Sequence, residues 1–173
     1  MAELMSFDAV IAAIERTLDE TRQRIIANMD AAGQRVTGRT AQSLRVEKVN
    51  DNEVRLVARP FFSALETGSR PWSGRTGNTM SAADFRVVIE QWATRKNIVP
   101  PDMTPKSFAF VVARKIMRNG SKLYRTGGRT DIFTPEVERA MKSVNDVVGA
   151  TLTAQVSEIV TQILNYKQTG QWQ

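Results

Sequence analysis

Apolar residues recur at intervals of three and four along residues 6–32, and this spacing most limits what the chain can fold into. The interval places them on one side of an α-helix with 3.6 residues per turn. Ser6 can cap the first turn, the helix dipole favours Asp8 there, and Gly33 can end the helix. The apolar positions are Leu4, Phe7, Ile11, Ile14, Leu18 and Ile25, with Thr21 in one slot. We predict a helix lying on a sheet; a coiled coil is the alternative, although the pattern does not sustain three to four heptads.

Two short stretches of alternating apolar residues, 44–49 and 54–58, follow this helix. The residues between them read Asn-Asp-Asn-Glu, and these side chains form turns because they bond locally and tolerate left-handed backbone. Pro60 stops the second stretch because proline cannot donate a ladder hydrogen bond. The pattern predicts an antiparallel β-hairpin.

Two helices are predicted in the middle of the chain, over 81–96 and 105–119. Ser81 and Asp84 have the spacing of a capping box, whereas Thr104 and Pro105 open the second helix and Gly120 closes it. The expected apolar faces are Phe85, Val88, Ile89 and Trp92 on the first helix, and Phe108, Val111, Val112 and Ile116 on the second.

A long closing helix is predicted from Thr134 and Pro135 to Tyr166, with a kink or break at 149–153, where the sequence favours helix poorly. The fold class is therefore α+β: a small antiparallel sheet packed by a long N-terminal and a long C-terminal helix, with a helical insertion. We expect residues 1–173 to form one domain. Its core is 1–71 and 131–167, its helical and loop insertion is 72–130, and its flexible tail is 168–173.

The composition argues against catalysis. The chain has no cysteine and no histidine, so it lacks thiol nucleophiles, disulfides and the commonest general base and metal ligand. No two carboxylates pair convincingly, and the glycine-rich loops lack phosphate-loop spacing. We predict no enzyme activity, no cofactor and no metal, although a carboxylate-dependent nuclease or hydrolase built on Glu66 stays open. No signal peptide and no membrane span are expected.

Basic residues are concentrated in one part of a chain whose net charge is +6. No acid lies between Met103 and Thr130, where the basic residues are Lys106, Arg114, Lys115, Arg118, Lys122, Arg125 and Arg129. Arg114, Arg118 and Lys122 are spaced to form one helical stripe that continues into a basic loop. The hypotheses are non-specific contact with DNA phosphates, a solvated face, or pairing with acids of a neighbouring subunit.

The stretch "ALETGSRPW", residues 64–72, is predicted to be a structural corner. Gly68 fits a position that needs positive φ or close approach, between Glu66 and the pair Ser69 and Arg70. We expect Glu66 to accept hydrogen bonds from turn amides or to pair with Arg70 or Arg39. The candidate interface residues are Pro71, Trp72, Arg75 and Trp172. Trp72 is either packed back onto the domain or an anchor for a partner.

Three short motifs in a fixed order carry a resemblance. They are Thr37-Gly38-Arg39 with Ser43, then Phe62 and Ala64 running into Glu66-Thr-Gly68-Ser69, and finally "DIFTPEV" with Phe133 and Pro135. The chain resembles the tail-completion proteins of long-tailed double-stranded DNA bacteriophages, also called head–tail joining or neck proteins. It departs from them in Ser69 where threonine is usual, in Phe62 where tyrosine is usual, and in the order of Phe133 and Pro135.

The resemblance implies a non-enzymatic virion protein that forms an oligomeric ring at the head–tail junction. It would bridge the capsid-side connector and the tail around the DNA channel, after assembly in the host cytoplasm. Its implied partners are copies of itself and other neck, connector and tail proteins, with non-specific contact to genomic DNA. A stand-alone non-specific DNA-binding protein is the alternative.

Overall fold

A computed structural model of the chain describes residues 7–34, 37–72 and 80–169, the last four of these as backbone only. It is α+β: mostly helical, with a small two-stranded antiparallel sheet and long helices towards both ends, as the sequence predicts. The elements are α1 (Phe7–Ala31), α2 (Arg39–Ser43), β1 (Arg45–Asn50), β2 (Glu53–Val57), α3 (Ala64–Thr67), α4 (Ala82–Lys96), α5 (Pro105–Asn119), α6 (Lys122–Arg125) and α7 (Thr134–Thr169).

The backbone divides into two compact units. The first comprises Met1–Ile25, Leu44–Val57 and Thr134–Gln173, and the second comprises Ile26–Ser43 and Ala58–Phe133, each as far as it is described. The predicted boundaries at 72 and 131 stay predictions. The first unit thus contains most of α1, the hairpin and α7, and the second contains the short helices together with α4 and α5.

The hairpin of the first unit lies where the sequence predicts it, and its two strands are antiparallel as predicted. Arg45 pairs with Val57 and Lys48 with Val54, and the register is irregular between Lys48 and Asn50. The Asn50 side chain accepts a hydrogen bond from the Asn52 amide at 2.8 Å, which closes the turn. This is the local side-chain bonding that makes asparagine a turn former.

The second unit has its core between α4 and α5. Ile89, Ala109 and Ala113 are buried there, and Phe85, Trp92, Val112, Ile116 and Met117 pack around them. Both predicted caps are present: the Ser81 hydroxyl accepts from the Asp84 amide, and the Thr104 hydroxyl accepts from the Ser107 amide. The predicted faces are wrong at Val88 and Val111, which are exposed. Alanines take the central positions because their small side chains let two helices approach closely.

The sequence predicts that the closing helix kinks or breaks at 149–153. The break is wrong, because α7 runs without interruption through these residues, and the kink stays a prediction. A single glycine costs a helix only about 1 kcal/mol, which does not stop it.

The predicted basic stripe is also wrong at its end: α5 ends at Asn119, Gly120 turns the chain at φ 77°, and Lys122 begins α6. Helices of four or five residues, such as α2, α3 and α6, are too short to show a helical period.

Candidate functional site

Hydrogen bonds join the corner around Glu66 to residues 129–133. Glu66 is only 3% exposed, and its Oε1 accepts hydrogen bonds from the amides of Ile132 at 2.8 Å and Phe133 at 2.7 Å. The carbonyl of Glu66 accepts a third, from the Arg129 amide at 2.9 Å. Arg39 and Arg70, the other proposed partners, are exposed. Glu66 therefore accepts hydrogen bonds from the backbone amides of a distant segment, and its pairing with Arg39 or Arg70 stays a prediction.

A second set of contacts joins the same corner to the start of α6. The Ser69 amide donates to the Ser121 hydroxyl at 2.9 Å, and the Ser121 amide donates to the Ser69 carbonyl at 2.8 Å. Gly68 has φ 71°, and a Cβ placed on it would lie 2.6 Å from Ser121 Oγ and closer still to the Tyr124 amide nitrogen. Gly68 thus meets both conditions that favour glycine: a left-handed backbone and a close approach.

The corner also has an aromatic contact. The rings of Phe62 and Phe133 lie 5.6 Å apart at an interplanar angle of 47°. Together with the Glu66 hydrogen bonds, this contact brings the second motif of the resemblance beside Ile132 and Phe133, which belong to the third motif and to the same unit. Nothing in the sequence places these motifs together, because about 65 residues separate them.

Arg129 and Asp131 form an ion pair beside this corner. Two guanidinium nitrogens of Arg129 donate to the two carboxylate oxygens of Asp131, at 2.5 and 2.6 Å. The hydrogen bond from Arg129 lowers the pKa of Asp131 below its ordinary value, and the same bond raises the pKa of Arg129. Arg129 is therefore engaged with an acid of its own chain.

Trp72 packs back onto its own unit. Its ring lies 5.5 Å from the ring of Phe85 on α4, and both Trp72 and Pro71 are half-buried. The indole N–H is buried and has no acceptor among the residues that the structure describes. Arg75 and Trp172, the other two interface candidates, lie outside the described residues.

The basic residues divide between two helices and the Arg129 corner. Arg114, Lys115 and Arg118 line an open groove of about 460 Å³ on α5, together with Phe110, Val111 and Asn119. Within the described parts of the chain, none of these three cations makes an ion pair. The Arg86 guanidinium lies 5.4 Å from the centre of the Phe110 ring. Lys122 and Arg125 are exposed on α6. The strongest basic surface is therefore on α5.

The first unit has an apolar groove of about 400 Å³ between parts of α1, β2 and α7. Within it, Thr21 is buried and donates to the Thr17 carbonyl at 2.7 Å, which satisfies its hydroxyl inside the helix. We call this cleft the apolar groove. It is lined by Ile14 and Leu18 of α1, Val54 and Leu56 of β2, and Val137 and Met141 of α7, among others.

The second half of α7 exposes aliphatic side chains along one side. We call this set the α7 stripe, and its members are between 42% and 59% exposed. They are Leu152, Val156, Ile159, Val160 and Ile163. By length and composition alone, the stretch Thr134–Asn165 of α7 is also a candidate membrane span, because it contains an 18-residue window with a mean hydropathy of 1.3. That the chain has no membrane span, as expected from its sequence, stays a prediction.

The described residues contain no cluster of three or more acidic side chains that could hold a metal ion. The buried carboxylate of Glu136 is bound by the guanidinium of Arg139 at 2.8 Å and lies 3.5 Å from that of Arg24. Its geometry is that of a structural ion pair.

Comparison of the chain with models of protein families, with curated proteins and with solved structures finds no match.

Proposed function

We propose that this protein is structural and acts by assembling with copies of itself, as a ring at the head–tail junction of a long-tailed phage. The observation that carries the assembly role is the α7 stripe: five neighbouring aliphatic side chains on a helix, all about half exposed. The role involves no chemistry. The location, in the virion between the connector and the tail, rests on the resemblance of the three motifs.

An exposed apolar stripe of this kind favours association. Complete burial of a valine, leucine or isoleucine side chain stabilises a protein by about 1.5–3 kcal/mol. Because these five side chains are half exposed in the single chain, their burial by a partner would contribute several kcal/mol more. Isolated helices are marginal in water, and most helical stability in proteins comes from packing of an apolar face. A partner along the second half of α7 supplies that packing.

The polar side of α7 favours a protein partner over a lipid one. Thr151, Glu158, Thr161 and Gln162 fall on the other half of the helix surface from the stripe, and Gln155 lies at its edge. A helix that spans a membrane alone has to be apolar all round, because lipid offers no partner for such groups. An amphipathic helix with one polar side instead fits a protein assembly exposed to water.

The ring proposal is tested by the mass and shape of the purified protein. We expect light scattering after size exclusion to give several copies per particle, and negative-stain images to show closed rings. A protein that stays monomeric at tens of micromolar contradicts the assembly role. Rings seen free but absent from purified virions, by antibody labelling, contradict the head–tail location only.

A second function, non-specific DNA binding, is favoured by the α5 groove, whose three cations make no ion pair with any residue that the structure describes. Each neutralised phosphate contributes about −0.9 to the slope of log affinity against log salt, so three cations give roughly −2.7 on duplex DNA. Changing Arg114, Lys115 and Arg118 to glutamine should remove this slope. Arg45→Gln is the matched control, since Arg45 pairs with Glu47 in the other unit.

Salt-dependent binding by a monomer supports the DNA-binding function and opposes the ring. Assembly without measurable DNA affinity supports the ring. An unchanged salt slope in the triple variant contradicts the assignment of the α5 groove as the phosphate-binding surface.

A further inference from the structure

The apolar groove and the α7 stripe are both in the first unit, and one helix connects them. Met141 forms part of the groove wall, and Leu152 begins the stripe 11 residues later. Eleven residues make about three turns, so both side chains lie on the same side of α7, roughly 16 Å apart along its axis. Met141 therefore lies on the side of α7 that carries the stripe, whereas Val137, Ala140 and Val144, which also line the groove, lie further round the helix.

The stripe of one molecule cannot enter the groove of the same molecule. Since α7 is continuous from Thr134 to Thr169, it holds Ile159 and Ile163 well beyond Met141 and cannot fold back. The chain therefore has a convex apolar surface and a concave apolar surface that a single copy cannot bring together. Two copies can.

We propose that the α7 stripe of one copy packs into the apolar groove of a second copy. This inference rests on the proposed assembly function and names the two surfaces that carry it. Each copy offers one stripe and one groove, and such a head-to-tail contact generates a closed ring or an open filament. Glu158 is the only charged residue between Asp146 and Lys167, so little charge has to be desolvated.

The area of the contact agrees with this occupant. Five half-exposed aliphatic side chains present on the order of 300 Å² of apolar surface. The groove offers less apolar surface than the stripe, so with interfaces being about 57% apolar the total buried area is at most about 1,000 Å². This is near the lower limit for a specific interface, and every copy in a ring makes the contact twice.

Substitutions at two exposed residues can disrupt the stripe and the groove one at a time. Val156→Lys places a charge in the stripe, and Met141→Lys places one in the groove wall; both side chains are well exposed, so the fold should be retained. Thr161→Lys is the matched control, because Thr161 is exposed on the other side of α7. Circular dichroism checks the helical content of all three variants.

We expect Val156→Lys and Met141→Lys each to weaken self-association at least tenfold, and Thr161→Lys to assemble as the unaltered chain does. The first variant keeps an intact groove and the second keeps an intact stripe. An equimolar mixture of the two should therefore form complexes of two copies, measured by native mass spectrometry. A mixture that stays monomeric overturns the proposal.

Two further outcomes separate this inference from the proposed function. If the unaltered chain assembles and both lysine variants assemble equally well, the stripe-in-groove contact is wrong and the assembly role stands. If the unaltered chain stays monomeric, the assembly role itself fails. If it stays monomeric and floats with phosphatidylcholine vesicles, and Val156→Lys abolishes flotation, the stripe binds lipid and the proposal is overturned.

Discussion

The Oε1 atom of Glu66 lies 2.8 Å from the amide nitrogen of Ile132, across 66 residues of sequence. Ile132 is fully buried and Glu66 nearly so, which means that water cannot replace this hydrogen bond. The same oxygen also accepts from Phe133. One carboxylate thus satisfies two consecutive backbone donors that would otherwise lack partners.

Removing this carboxylate should destabilise the protein strongly. A buried donor left without an acceptor costs about 1–3 kcal/mol, so Glu66→Ala should lower the free energy of unfolding by about 3 kcal/mol. Glu66→Gln keeps an oxygen but loses the charge, and should cost about half as much. Urea titration measures both. Glu53→Ala, at an exposed ion pair with Arg55, is the control and should change stability by less than about 1 kcal/mol. Equal effects of Glu66→Ala and Glu53→Ala would contradict this role.

Alanine substitutions at Gly68 and Gly127 distinguish the cost of a steric collision from the cost of backbone strain. Both have positive φ, at 71° and 90°, but a Cβ at Gly68 would collide with Ser121 and Tyr124, whereas one at Gly127 meets nothing within 4 Å. Gly127→Ala should cost about 1 kcal/mol for strain alone. Gly68→Ala should cost more, because backbone has to shift as well. Thermal unfolding of the two variants compares them, and equal losses would show that the corner has room for a side chain.

Local signals made parts of the fold predictable from the sequence. The caps at Ser81 and Thr104 depend on residues three positions away, so the spacing predicts them and the structure contains them. The Asn50 turn is equally local. Such features are set by short-range hydrogen bonds, and the sequence pattern records both partners.

Other parts of the fold depend on contacts that the sequence pattern does not record. A period of three and four identifies the large apolar residues of α5 but not which of them is buried: Val111 is exposed, whereas Ala109 and Ala113 form the contact. For the candidate site, the sequence identified Glu66 and Gly68 as a corner. Their partners at 132 and 121 come from tertiary folding, and no local spacing encodes them.

The continuity of α7 leads to a prediction at Gly149. A glycine inside a helix costs about 0.5–1 kcal/mol relative to alanine, and nothing lies within 4 Å of a Cβ at this position. Gly149→Ala should therefore raise helical content and thermal stability. The measurement is circular dichroism at a concentration where the chain is monomeric, because residue 149 lies near the α7 stripe. A loss of helix on substitution would indicate that the chain breaks there after all.

The Arg129–Asp131 pair predicts how the corner responds to acid. The guanidinium of Arg129 lowers the pKa of Asp131 below its ordinary value of about 3.9, so the ionised form is favoured in the folded state. The resulting stabilisation is fully present above the ordinary value and is lost as the pH falls through the lowered pKa. Carbon-13 NMR of the Asp131 carboxyl should give a titration midpoint below 3.9, and Arg129→Gln should raise it towards that value. Asp19, whose pKa is lowered by its hydrogen bond from Arg22, is the internal control and should not change in the Arg129 variant. A midpoint for Asp131 that is the same with and without Arg129 would show that the pair does not persist in solution.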